Sequence, residues 1–237
     1  MKSTSQFPTT RWQMVSQAAG SESDAQAMRE LCEAYWPPLH SFIRARGYNK
    51  DAALDLVQGY FHQLLEKDYV GDYDRQKGRF RTFLLSSLRN YMAKEWHASQ
   101  ALKRGGGWDA IPFEDSIESM EAWYQQQPKS DSPEAVYDRQ WAQRVLDQAL
   151  NHLRNEYERE NRGAAFQVLQ RFLTDVADAG DYAIAARHLD IQPASMKVTV
   201  HRLRRRYRKC IRDVVQDTVA DETQIDSELT HLLRCLE

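Results

Sequence analysis

Apolar residues recur along this chain at helical spacing. Leu54, Val57, Phe61, Leu64 and Leu65 fall on one face of a segment whose other face carries Asp55, Gln58, His62 and Glu66, which predicts an amphipathic helix. A second helix is expected from about Phe80, with Phe83, Leu84, Ser87, Leu88, Tyr91, Met92 and Trp96 turned inward. Between them EKDYVGDYDRQKGR holds Gly71 and Gly78 and reads as a loop. Upstream, LCEAYW and LHSFIRARG read as helix around Pro37 and Pro38, with Gly47 as a stop. Strand signals are nearly absent, so the expected fold class is all-α.

The C-terminal half follows the same pattern. Ser-Pro-Glu-Ala from Ser132 has an N-cap residue followed by proline at the first helical position, and WAQRVLDQALNHLRNEY continues it. After Gly163 a further helical run, AAFQVLQRFLTDV, begins. The segment DYAIAARHLDIQPASMKVTVHRLRRRYRKCIRDVV then gives a short helix to Leu189, a turn over Asp190 to Pro193 and a long helix from near Ala194. That is the spacing of a helix-turn-helix. On the long helix Met196, Val200, Leu203 and Tyr207 face a core, leaving Lys197, His201, Arg202 and Arg205 outward. A helix that enters the major groove divides its faces in this way. The plain alternative makes Arg204 to Lys209 the solvated face of a surface helix.

Charge changes the picture because it is blocked. The net charge of the 237 residues is −2, yet residues 75–104 hold eight bases against the single acid Glu95, and residues 197–212 hold eight bases and no acid. Between these blocks, residues 105–138 hold eight acids against Lys129. Clustered charge sets the local field, so two polyanion contacts joined by an acidic connector are expected. Gly105, Gly106 and Gly107, then Pro112, Pro128 and Pro133, give that connector a linker composition. The expected organisation is a first domain over 1–104, an acidic linker over 105–133, a helix-turn-helix domain over 134–212 and an acidic amphipathic tail over 213–237. In the tail Ile225, Leu229, Leu232, Leu233 and Leu236 recur at helical spacing among seven acids. It is expected to pack back on the C-terminal domain or the linker, with two readings open: its acids compete with DNA for the Arg204 to Arg212 face, or it is a helical cap with no regulatory effect.

Other chemistry finds little support. Cys32, Cys210 and Cys235 are odd in number and far apart, which fits neither a disulfide framework nor a zinc spacing, and points to a reducing cytoplasm. No apolar stretch approaches a membrane span and MKSTSQFPTTRW lacks the apolar centre of a signal peptide, so no membrane insertion is expected. No metal and no cofactor are expected. Aromatics interleave with the bases of the first block, a pairing that suits single-stranded DNA, because every base offers a face to stack on. Phe83 and Tyr91 lie on the apolar stripe and are expected in the core, whereas Tyr73 and Phe80 are the aromatics expected to work on a ligand.

Taken together these segments resemble the extracytoplasmic-function group of bacterial sigma factors. DLVQGYFHQLL is similar to that family's polymerase-binding helix, with Asp55, Gln58 and Phe61 at its acid, glutamine and phenylalanine positions. FRTFLLSSLRNYMAKEW resembles its promoter-melting helix, where Arg89 and Asn90 match an Arg-Asn pair, and the helix-turn-helix resembles the domain that reads the minus-thirty-five element. The order and spacing match over about two thirds of the chain. The chain departs from the family at Ile184, where a glutamate is usual, at Leu84, where a tryptophan is commoner, and at Asp190, where the turn has glycine. Aspartate tolerates a left-handed backbone better than most residues.

The resemblance implies two helical domains, core RNA polymerase and promoter DNA as partners, and no enzymatic activity. Asp55, Gln58 and His62 would dock on the polymerase. The loop from Asp72 to Phe80, with Asn90 beneath it, would capture a flipped base of the minus-ten element. Tyr73, Arg75, Lys77, Arg79, Phe80, Arg81, Arg89 and Lys94 complete that contact, the arginines and lysines holding the backbone. Lys197, Thr199, His201, Arg202 and Arg205 would contact the minus-thirty-five element. An anti-sigma factor or a regulatory kinase is the kind of controlling partner the resemblance admits. Two other readings stand beside it: a helix-turn-helix regulator acting without polymerase, and a metal-dependent nuclease using His152, Glu156 and Glu160 on one helical face.

Overall fold

A computed structural model describes residues 22–66, 79–101, 114–174, 178–219 and 221–237. The described residues are helical with no strand, so the fold is all-α. Nine α-helices follow one another among them: α1 Glu22–Ala45, α2 Lys50–Glu66, α3 Phe80–Ala101, α4 Glu114–Gln125, α5 Pro133–Arg159, α6 Gly163–Leu169, α7 Ala179–His188, α8 Pro193–Gln216 and α9 Ile225–Leu236. Short 3-10 turns at Gln170–Leu173 and Glu222–Gln224 complete the list.

The chain divides into two compact units, one of Met1–Arg144 with Gln216–Glu237, the other of Val145–Val215. In the first, α1 packs on α2 and α2 on α3. Helix α1 runs without interruption through Pro37 and Pro38. Each proline removes a backbone donor, but Tyr35, Trp36, Leu39, Phe42 and Ile43 around them are all buried, and that packing outweighs the lost bonds. Trp36 stacks on Phe61 with ring centroids 5.5 Å apart, and Tyr60 donates from its hydroxyl to the Leu84 carbonyl at 3.2 Å. Gly59 lets α3 come close, since a Cβ there would lie 2.3 Å from the Tyr91 hydroxyl.

Residues 114–125 do not form the linker that their composition suggests. They fold as α4, with Met120 buried and Glu121 gripping Arg44 of α1 at 2.9 and 2.6 Å. The Tyr124 hydroxyl donates to the Arg44 carbonyl at 3.1 Å. Composition registered the acids and missed that one of them has a half-buried arginine to meet. Likewise α5 belongs to the first unit up to Arg144, so the second unit begins at Val145 and not at 134.

The tail also belongs to the first unit. Ile225 and Leu232 are buried, but Leu233 and Leu236 are exposed. Glu228, only 1% exposed, lies between Arg79 and Arg81. The tail therefore packs back on the protein as its pattern demands, but its buried acid meets α3 and not the Arg204 to Arg212 run.

In the second unit, Leu153, Tyr157, Phe166, Leu169, Phe172, Met196, Val200 and Leu203 form the core. Phe172 stacks on Tyr182 at 5.3 Å, and the Tyr207 hydroxyl donates to the Leu146 carbonyl at 3.2 Å.

Candidate nucleic-acid interface

The α7 and α8 pair is built from local chemistry. Asp178 caps α7 in a reciprocal box: its Oδ1 accepts from the Asp181 amide at 2.9 Å, and Asp181 Oδ2 accepts from the Asp178 amide at 3.1 Å. That backbone bond, with Arg171 beside it, holds the Asp181 carboxyl below the usual carboxylate range. At the other end Asp190 adopts φ 51°, its amide bonds to the Arg187 carbonyl and the Ile191 amide to the Ala186 carbonyl. These two bonds around a left-handed residue are a Schellman motif, here with aspartate in the place where glycine is usual. Asn161 does the same at the end of α5, with φ 56°. Pro193 then opens α8 at its first helical position.

On α8 the basic run divides by angle. At 100° per residue Lys197, His201, Arg205 and Arg208 form one stripe with Arg202 at its edge, opposite the Met196, Val200 and Leu203 face. Lys197, His201, Arg202 and Arg205 are all exposed. Thr199 is half-buried and its hydroxyl donates to the Ser195 carbonyl at 3.0 Å. Arg204 and Arg206, which flank the buried face, have structural work instead. Arg204 Nε donates to the Phe172 carbonyl at 2.9 Å. Arg206 reaches Glu156 at 2.9 Å and Glu160 at 2.6 Å, and lies 4.5 Å over the Tyr157 ring. Glu160 and Glu156 raise the Arg206 pKa, and the same pairing holds the Glu160 carboxyl down. The two glutamates of the nuclease reading are therefore committed to a guanidinium. Their proximity to Arg206 could not be read from spacing along α5 alone.

In the first unit Asp55 is exposed, and Gln58 and His62 are half-buried, on the side of α2 away from Val57, Phe61 and Leu64. Asn49 Oδ1 fixes the start of that helix by accepting from the Ala52 amide at 2.8 Å.

The expected minus-ten set is dispersed. Tyr73, Arg75 and Lys77 lie outside the described residues. Phe80, expected to face a ligand, is 3% exposed and meets Tyr35 edge-on at 5.5 Å, because its place at the first turn of α3 lies over the α1 core. Arg81, expected on a DNA backbone, is 7% exposed and bonded to Glu228 and Asp138. Burial opposes its charge, but Glu228 and Asp138 more than compensate and raise its pKa. Arg79 pairs with Glu228 at 2.8 Å and donates to Ser227 Oγ at 3.1 Å. Arg89 pairs with Glu134 and leaves much of its surface in solvent, and Asn90 and Lys94 are exposed.

A surface cavity of about 370 Å³ lies beside Arg89, lined by Arg46, Tyr48, Met92, Ala93 and Trp96 as well. Trp96, assigned inward by periodicity, is 55% exposed at its rim. It sits about 120° round α3 from Leu84, so the 3.6-residue drift carries it off the buried stripe. The cavity combines two guanidinium groups with two aromatic rings and no acid in its lining.

No family model, no curated protein and no solved structure matches the chain. No helix among the described residues is long and apolar enough to cross a membrane.

Proposed function

We propose that this protein is a sigma-type initiation factor, which binds core RNA polymerase and directs it to promoter DNA. The observation that carries the reading is the α7–α8 unit, in which a Schellman turn at Asp190 precedes a helix with Lys197, His201, Arg202 and Arg205 on one exposed stripe. In this reading α8 lies in the major groove of an upstream element. Arginine there serves guanine edges and phosphates, and lysine serves phosphates.

The first unit takes the polymerase and the opened strand. Asp55, Gln58 and His62 of α2 form the polymerase contact, and Arg89, Asn90 and Lys94 of α3 meet the downstream element. Arg81 and Phe80 have no part in it, since both are buried. The mixed cationic and aromatic lining around Trp96 supports a contact with unpaired bases, which stack on rings while arginine neutralises phosphate. No chemistry is required of the protein: the work is binding and strand separation.

Affinity co-purification with bacterial core polymerase tests the reading. Stoichiometric retention of the wild type is expected, with loss for Asp55→Ala combined with Gln58→Ala. Failure of the wild type to bind core polymerase while it still binds duplex DNA would return the protein to the class of ordinary helix-turn-helix regulators.

A further inference from the structure

We infer that Asp138 of α5 and His231 and Cys235 of α9 form a binding site for a zinc-class divalent cation, which pins the C-terminal helix to the first unit. The three ligand atoms, all partly accessible, lie within 4.8 Å of one another. His231 Nε2 is 3.2 Å from Cys235 Sγ and 3.4 Å from Asp138 Oδ2. One ring nitrogen thus faces a sulfur and a carboxylate oxygen at once, although a single N–H can point well at only one of them. A cation at the point they share engages all three lone pairs.

The framework around the cluster suits a metal. His231 and Cys235 stand one turn apart on the same face of α9, so one helix presents two ligands without a special loop. Asp138 is oriented from behind, because Arg81 donates to its other oxygen, Oδ1, at 2.6 Å, and Arg81 is itself fixed by Glu228 at 2.7 Å. A ligand held by an outer partner in this way is already aimed. Glu228 is shared by Arg81 and Arg79, so the negative charge that balances a divalent ion comes from the Asp138 carboxylate and from the Cys235 thiol as it gives up its proton on binding.

Nitrogen, sulfur and oxygen donors together select zinc over magnesium or calcium, which take oxygen alone. Zinc bonds of about 2.0–2.3 Å require the widest pair of ligand atoms to close by roughly 1 Å, within reach of side-chain rotation on the half-exposed last turn. Three protein ligands leave a position for water. The sequence hid this site because its ligands come from residues 138, 231 and 235, and the pair on α9 has no second cysteine or histidine nearby in the chain.

The test uses untagged, full-length protein stripped with a chelator, and needs neither DNA nor polymerase. Titration with zinc chloride is expected to load one zinc per chain that survives desalting, with affinity lowered roughly tenfold or more by His231→Ala and by Cys235→Ser. Cobalt in place of zinc should give a thiolate-to-metal charge-transfer band that disappears in Cys235→Ser and persists in Cys32→Ser. Unchanged circular dichroism of Cys235→Ser, expected because Cys235 is half-exposed, separates loss of metal from loss of fold. Absence of retained zinc in the wild type, or a cobalt band that survives Cys235→Ser, would overturn the assignment.

Discussion

Glu228 in the last helix and Arg81 in α3, 147 residues apart in the chain, form a buried ion pair, with Arg81 Nε donating to Glu228 Oε1 at 2.7 Å. Asp138 takes a second arm of the same guanidinium, and Trp141 lies 5.0 Å beneath it. The acidic tail is thereby part of the first unit's construction. Removing Glu228 takes from the buried Arg81 guanidinium one of the two carboxylates that hold it, at a cost below the about 3–5 kcal/mol of a fully stranded buried charge. Glu228→Ala is therefore expected to lower the urea midpoint of the first unit strongly. The double change Arg81→Met with Glu228→Leu should cost less than either single alanine substitution, because the charges it leaves behind, Arg79 and Asp138, both reach solvent.

His40 predicts a second, pH-dependent weakness. It is fully buried in α1, and neither ring nitrogen has a hydrogen-bond partner among the described residues. Burial lowers its pKa from 6.5 to about 4, with Glu121 pulling it up and Arg44 and Lys50 pushing it down. The unfolded chain then binds the proton more readily than the folded one, so His40 leaves the fold intact above pH 6.5 and weakens it as the pH falls from 6.5 toward 4. The full loss is about 3 kcal/mol. Glu121, whose carboxyl the Arg44 guanidinium holds down, adds a further loss below its ordinary range. Thermal unfolding followed between pH 7 and pH 4, as ordinary buffer settings, should fall steeply for the wild type and less for His40→Leu.

Asp190 supports a third prediction. A left-handed backbone costs a residue with a Cβ about 1 kcal/mol, less for aspartate than for alanine. Asp190→Gly should raise the stability of the second unit or leave it unchanged, and Asp190→Ala should lower it by about 1 kcal/mol. Chemical denaturation of the two variants checks the order. A more stable alanine variant would remove the Schellman turn from the account.

The helical content and the α7–α8 turn were legible in the sequence because both rest on local signals: apolar spacing, caps, and a residue that tolerates positive φ. Met196, Val200 and Leu203 are buried where periodicity puts them, and Lys197, His201, Arg202 and Arg205 are outward. What local signals cannot carry is the identity of a distant partner. Arg81 looked like a DNA contact because its partners, Asp138 and Glu228, come 57 and 147 residues later. Arg44 and Glu121 hid the docking of α4 for the same reason, since they are 77 residues apart. Trp96 differs for another reason: twelve residues on from Leu84, helical drift has turned it about 120° off the buried stripe, and it is exposed.

Neighbouring arginines of α8 should separate binding from stability. Arg206→Ala removes a guanidinium that lies over Tyr157, and is expected to cost about 1 kcal/mol of stability from that stacking. Arg205→Ala, on the exposed stripe, should leave stability unchanged and weaken promoter DNA binding by about 1–3 kcal/mol if it reads a base. Thermal unfolding and fluorescence anisotropy on one duplex, applied to both variants, give the comparison. Equal effects of the two changes on DNA binding would contradict the division of the basic run.

The central claim is tested most directly by run-off transcription with bacterial core polymerase on a pool of randomised promoters, with and without the protein. The account predicts defined transcripts that require the protein, share an upstream and a downstream sequence element, and vanish when Asp55→Ala and Gln58→Ala are combined. Transcripts that are the same without the protein, with duplex DNA binding intact, would contradict it.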